Sequence, residues 1–180
     1  MDDSKTRLSD IATLRQNARE HLENGAVTAD YRADRKQVLR LLNEALATEI
    51  VCWLRYRRHY FMAKGIHAEV AAAEFLEHSN QEAGHADLLA ARIVQLRGQP
   101  DFSPDGMAAR SHAEYVAGET LKEMLQEDLV AERIAIASYG EVIRHLGSDD
   151  PTTRTLLERI LATEEEHADD LAALLDGIRS

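Results

Sequence analysis

Two Glu-x-x-His steps stand in this 180-residue sequence, Glu82-Ala83-Gly84-His85 and Glu164-Glu165-Glu166-His167. Each follows a lone glutamate at nearly the same interval: 33 residues separate Glu49 from Glu82, and 32 separate Glu132 from Glu164. Tyr56 lies seven residues after Glu49, and Tyr139 lies seven after Glu132. The pattern reads as one helical hairpin present twice, supplying four carboxylates and two imidazoles. A step of three residues puts Glu and His on one helix face. An oxygen-rich set with one nitrogen per metal suits a pair of iron or manganese ions better than a structural zinc.

The elements that carry these residues read as almost all helix. Alanine, leucine, glutamate and arginine dominate, and the three prolines fall in or beside loops. The pattern predicts an amphipathic helix over Lys5–Glu23 ending at Asn24-Gly25, then one capped by Thr28 or Asp30 and running to Lys64. A third is predicted over His67–Arg97. The break from Gln99 to Gly106, with Pro100 and Pro104, falls between the two half-repeats, where a crossover connection belongs. Ser111-His112-Ala113-Glu114 and Thr120-Leu121-Lys122-Glu123 both read as capping boxes, and the second is preferred as the start of a helix running to His145. Asp150-Pro151 opens the last helix, which runs nearly to Ser180. The expected architecture is an all-α four-helix bundle with a long crossover and an N-terminal extension helix. Residues 1–30 form the extension and residues 31–180 the bundle.

Phase argues that the ligand candidates point inward. Glu49 falls in the stripe Leu42, Leu46, Glu49, Trp53, Tyr56. Glu82 and His85 fall in Phe75, His78, Glu82, His85, Leu89. Glu132 falls in Leu125, Asp128, Glu132, Ile136, Tyr139. Glu164 and His167 fall in Leu157, Ile160, Glu164, His167, Leu171. Carboxylates buried at one level repel strongly unless protons or cations lie between them. Glu82 and Glu164 are read as bridging ligands, because each shares a turn with its histidine; Glu49 and Glu132 are read as terminal. Tyr56 and Tyr139 either hydrogen-bond the opposite half's terminal glutamate or fill core. Asp128 is either an acceptor for a ligand histidine or a seam-edge acid. His78 is more simply a core histidine than part of an extra metal site. The clusters Arg55, Arg57, Arg58 and Arg32, Arg35, Lys36 read as solvated faces or subunit salt bridges.

Composition narrows the function classes. Thirty-two acidic residues against 21 basic give a formal charge of −11, which suits a cationic partner and opposes nonspecific nucleic-acid binding. One cysteine, Cys52, excludes an intrachain disulfide and any four-cysteine metal site. The polar N-terminus and the lack of a long apolar run give no secretory core and no membrane span, so cytoplasm is the expected location.

From Val38 to Ile178 the chain resembles bacterioferritins and the Dps-like mini-ferritins that share their di-iron centre. The motifs that carry the resemblance are LNEALATEI around Glu49, EAGH at 82–85, EDLVAER around Glu132 and EEEH at 164–167. The resemblance implies a ferroxidase with two iron ions per subunit, held by Glu49, Glu82, His85, Glu132, Glu164 and His167. It implies oxidation of Fe(II) by O2 or H2O2, with the ferric product stored as mineral in a hollow homo-oligomeric cage. Ala83 stands where bacterioferritins place a haem-ligating methionine, which opposes haem. Thirteen residues follow His167, too few for the family's short fifth helix, and about 30 precede the bundle, as in mini-ferritins. Those features favour a 12-subunit shell over 24. Protection of DNA would then follow from removing Fe(II) and peroxide without contact. The alternatives are a manganese catalase or rubrerythrin-type peroxidase without storage, and a non-catalytic DNA-compacting assembly.

Overall fold

A computed structural model describes residues 8–66 and 68–179. Its helices are α1 (Ile11–Asn17), α2 (Arg35–Met62), α3 (Ala68–Gln95), α4 (Met107–Arg110), α5 (Leu121–Leu146) and α6 (Pro151–Arg179), with one 3-10 turn at Leu22–Asn24. The four long helices have 26 to 29 residues, roughly 40 Å each at 1.5 Å per residue. Side-chain pairs fix their directions. His85 meets Glu49 and Asn80 meets Arg57, so α2 and α3 are antiparallel. Tyr139 meets Glu49 while Tyr56 meets Glu132, so α5 runs against α2. His167 meets Gln81 while Thr153 meets Arg92, so α6 runs against α3.

Helices α3 and α5 therefore run the same way, and the link between them must return along the whole bundle. It does so by lying on α2. Asn43 holds Gln99 O (3.3 Å) and the Asp101 N–H (2.8 Å). Thr48 Oγ1 accepts from the His112 N–H at 2.9 Å. Arg55 donates to Glu114 O at 2.7 Å, and Arg58 and His59 meet Ala117 O. The order of partners rises along both segments, so crossover and helix are parallel. This break spans 96–120, far longer than Gln99–Gly106, and holds the single turn α4.

The crossover corrects one reading of the sequence. Arg55, read from the sequence as part of a solvated face or a subunit salt bridge, is 1% exposed. It has the bundle on one side and the crossover on the other, with its Nε on Asp128 Oδ1 at 2.7 Å. Helix starts and stops also differ. Asp34, rather than Thr28 or Asp30, caps α2 by accepting from the Lys36 and Gln37 N–H groups. The segment before it is held in turns rather than helix, with Val27, Tyr31 and Ala33 packed on the core and the Tyr31 hydroxyl donating to Asp150 at 2.8 Å. The first helix spans Ile11–Asn17, with Asp10 as its cap, and is shorter than Lys5–Glu23; residues 1–7 lie outside the described residues. Leu8, Ile11 and Leu14 are exposed, so among the described residues its apolar face buries against nothing. Thr120 and Glu123 form the expected capping box of α5, whereas Ser111 ends α4 instead of starting a helix.

Two apolar clusters fill the bundle. One, around Leu42, Leu46, Leu89, Ile93, Leu157 and Ile160, occupies one end. The other, around Phe75, Leu125, Leu171 and Leu175, occupies the opposite end. Between them lies a layer of polar side chains.

Candidate metal centre

The polar layer is built by the middle turns of the four long helices. Apolar residues above and below hold those turns in register, and Glu49, Glu82, Glu132 and Glu164 are buried, none more than 1% exposed. His85 and His167 are buried with them. The six candidates fall into two sets, Glu49–Glu82–His85–Glu164 and Glu82–Glu132–Glu164–His167, and within each set one oxygen or nitrogen from every residue lies within 4.8 Å of the others. Glu82 and Glu164 belong to both.

The imidazoles face the carboxylates. His85 Nδ1 lies 3.1 Å from Glu49 Oε2, 2.9 Å from Glu164 Oε1 and 3.7 Å from Glu82 Oε2. His167 Nδ1 lies 3.4 Å from Glu82 Oε1, 3.6 Å from Glu164 Oε2 and 3.9 Å from Glu132 Oε1. Only the Glu49 contact is aligned for a hydrogen bond; Glu164 Oε1 is close to His85 but off the line of its N–H. Four buried atoms of the layer have no hydrogen-bond partner: Glu82 Oε1, Glu132 Oε2, Glu164 Oε1 and His167 Nδ1. Buried polar atoms are almost always paired. Four orphans converging on one space are the arrangement that divalent cations complete, and the residues present fit such ions.

Electrostatics agree with a space that needs positive charge. Burial first, and then the facing Glu164 and Glu49, push Glu82 well above the ordinary carboxylate range. Burial and Glu164 do the same to Glu132, and burial and Glu49 raise Glu164. Burial would also raise Glu49, but hydrogen bonds from Glu82, His85 and Tyr139 outweigh it and hold this carboxyl low. Burial alone would lower His85, yet Glu164 and Glu49 lift it to about 10. In the absence of metal these shifts favour protons held among the carboxyl and imidazole groups of the layer.

Around this layer, Tyr56 donates to Glu132 Oε1 and Tyr139 donates to Glu49 Oε1, each reaching from one half-repeat to the glutamate of the other. Asp128 does not reach a ligand histidine. Its two oxygens take Arg55 Nε and His59 Nδ1 (2.8 Å), so it belongs to the buttress beneath the crossover. A residue not singled out from the sequence, Gln81, takes the role that Asp128 was considered for: its Oε1 is 2.6 Å from His167 Nε2. Accepting a hydrogen bond from Nε2–H there leaves Nδ1 as the free, inward nitrogen. The antiparallel pairing of the two Glu-x-x-His turns is what brings Gln81 opposite His167, and one helix read alone gives no sign of it.

Known proteins resemble this chain in fold and sequence. Residues 39–180 match the ferritin family, described as a ferritin-like domain. A bacterioferritin of Mycobacterium leprae is 32% identical over 139 residues, covering 77% of this chain and 83% of that protein. Among solved structures, a dodecameric thioferritin, the bacterioferritin-related protein of Bacteroides fragilis, superposes with TM-score 0.80 at 31% identity, covering 82% of this chain and 89% of that one. Dps of Thermosynechococcus elongatus superposes with TM-score 0.76 at 25% identity, covering 81% and 96%.

Proposed function

The chain belongs to the ferritin-like family, and from that premise we propose that it is an iron-storing ferroxidase whose centre lies within one subunit. The observation that carries this reading is the sorting of six buried side chains into two overlapping sets with Glu82 and Glu164 in common. Fe(II) is the substrate. Glu49 and His85 bind one ion, Glu132 and His167 bind the other, and Glu82 and Glu164 bridge them.

Two adjacent Fe(II) ions each give one electron to a single oxidant molecule. With H2O2 and two protons the products are two Fe(III) and two waters; with O2 and two protons they are two Fe(III) and H2O2. The protein contributes geometry and charge. Four carboxylates oppose two divalent cations with equal and opposite charge, so loading neutralises a layer that burial otherwise makes costly. Loading also competes with protons, above all the one that His85 holds in metal-free protein. Tyr56 and Tyr139 fix the terminal glutamates, and Gln81 fixes His167, so the ligands are set before metal arrives.

Both oxidants are compatible with this geometry. The acidic balance of −11 draws cations and repels DNA, so protection by scavenging is favoured over direct binding. A hollow homo-oligomer of twelve chains is the assembly that fits storage, supported by the dodecameric relative. Among the described residues no helix is long and apolar enough to cross a membrane; a cytoplasmic location fits this reading. Mixing metal-free protein with Fe(II) and following ferric absorbance in a stopped-flow instrument tests the activity. Rapid oxidation that goes on to hold far more than two irons per chain is expected. Iron uptake limited to two per chain would instead indicate a redox enzyme without storage.

A further inference from the structure

Besides His59, which meets Asp128 beneath the crossover, one buried histidine of the bundle has no part in the dinuclear centre. His78 lies one turn before Glu82 on α3, and its side chain is 2% exposed. Its ring stacks on His167 with centroids 3.9 Å apart and planes 22° apart, and it stands edge-on to Tyr56 at 5.3 Å. Nδ1 is buried without a hydrogen-bond partner. Nε2 faces Glu74 Oε2 at 3.7 Å and Asp170 Oδ2 at 3.6 Å, both beyond hydrogen-bond length. Glu74 lies one turn further along α3, and Asp170 reaches across from α6, three residues past His167. Their side chains are 33% and 47% exposed.

A histidine buried this deeply ordinarily donates or accepts on both sides of its ring. Here the outward nitrogen points instead into a gap between two carboxylates. Ligands about 2.1 Å from one ion at a tetrahedral angle lie about 3.4 Å from each other. The observed 3.6 and 3.7 Å fit a shared cation with little movement, and all three ligand atoms lie within 4.8 Å of one another. Two carboxylates and a neutral imidazole balance a divalent charge. The two exposed acids leave the outer face of the site open to water, so a bound ion can exchange.

We propose that Glu74, His78 and Asp170 form a third metal site, which takes Fe(II) from the solvent side and holds it one helical turn from the dinuclear centre. Its metal binding is independent of the centre; its role in loading rests on the ferroxidase reading above.

The test uses the full-length protein with Co(II) as probe and Fe(II) as substrate. Equilibrium dialysis of metal-free wild-type protein should show one more Co(II) per chain than the double variant Glu74→Gln, Asp170→Asn. Both substitutions are partly exposed and preserve shape, so the fold is retained. His85→Ala should lose dinuclear binding while keeping the Co(II) that the double variant loses, which separates failure of this site from failure of the centre. In Fe(II) oxidation, the double variant should need severalfold more Fe(II) for half-maximal initial rate, with the saturated rate within about twofold of wild type. Equal Co(II) stoichiometry in wild type and double variant would overturn the site. An unchanged half-saturating Fe(II) concentration would overturn its loading role.

Discussion

Glu132 illustrates how much a single side chain depends on its surroundings here. It is fully buried, raised by burial and by Glu164, and steadied by the Tyr56 hydroxyl. Replacing Glu132, Glu49 or His85 by alanine removes a ligand and should slow Fe(II) oxidation by at least about 100-fold while far-ultraviolet circular dichroism stays that of a helical bundle. Unchanged initial rates in all three variants would contradict the ligand assignment. Gln81→Leu keeps the volume but removes the acceptor on His167 Nε2. Metal affinity, measured by competition with a chelator, should fall by roughly 10- to 100-fold. The ligand candidates could be picked out in sequence because they repeat and because each keeps phase with an apolar stripe. Gln81 could not, since its partner is 86 residues away and depends on how two helices register. Asp128 is the reverse case: it stands in an apolar stripe and is buried, but phase does not say which buried base it meets.

At the scale of elements, the crossover accounts for what composition could not show. Its hydrogen bonds run down α2 from Asn43 to His59, and Asp128 holds Arg55 and His59 beneath it. A buried ion pair that loses one partner leaves the other charge stranded, at a cost of about 3–5 kcal/mol. Asp128→Ala should therefore lower the thermal midpoint by on the order of 10 °C, yet change metal affinity only a few-fold. A large loss of metal affinity with normal stability would show instead that Asp128 serves the centre. Local signals placed the long helices well, since Thr120–Glu123 and Asp150–Pro151 act within one turn. The start of α2 and the extent of α1 differ from the sequence pattern, because packing of Val27 and Tyr31 decides the first, and the second has an apolar face without a partner among the described residues.

For the molecule as a whole, the balance of charge makes stability depend on pH and metal together. Glu82 and Glu132 are raised, and so is His85, to about 10. Such groups contribute stability that is complete below their unfolded values and is lost as pH rises through the folded ones. His78, lowered to about 3 by burial and His167, and His167, lowered first by burial, act in the opposite sense, but their contribution is complete above the unfolded histidine value near 6.5. Between pH 7 and 9 His85, whose folded value is about 10, therefore sets the slope. Each unmatched proton is worth about 1.4 kcal/mol per pH unit, so the melting temperature of metal-free protein should fall by several degrees across that window in calorimetry. The stabilisation given by divalent metal should grow across the same window, because fewer protons then have to leave. A metal-free protein whose melting temperature climbs over this range would contradict the shared-proton picture. Light scattering should find a shell of twelve 20.1-kDa chains, about 240 kDa.

The most direct measurement is anomalous diffraction at the iron edge from crystals loaded anaerobically with Fe(II). Two iron peaks should lie inside each chain, both touching Glu82 and Glu164, one also touching Glu49 and His85 and the other Glu132 and His167. Iron found between subunits, or no iron at these six residues, would contradict an intrasubunit dinuclear centre.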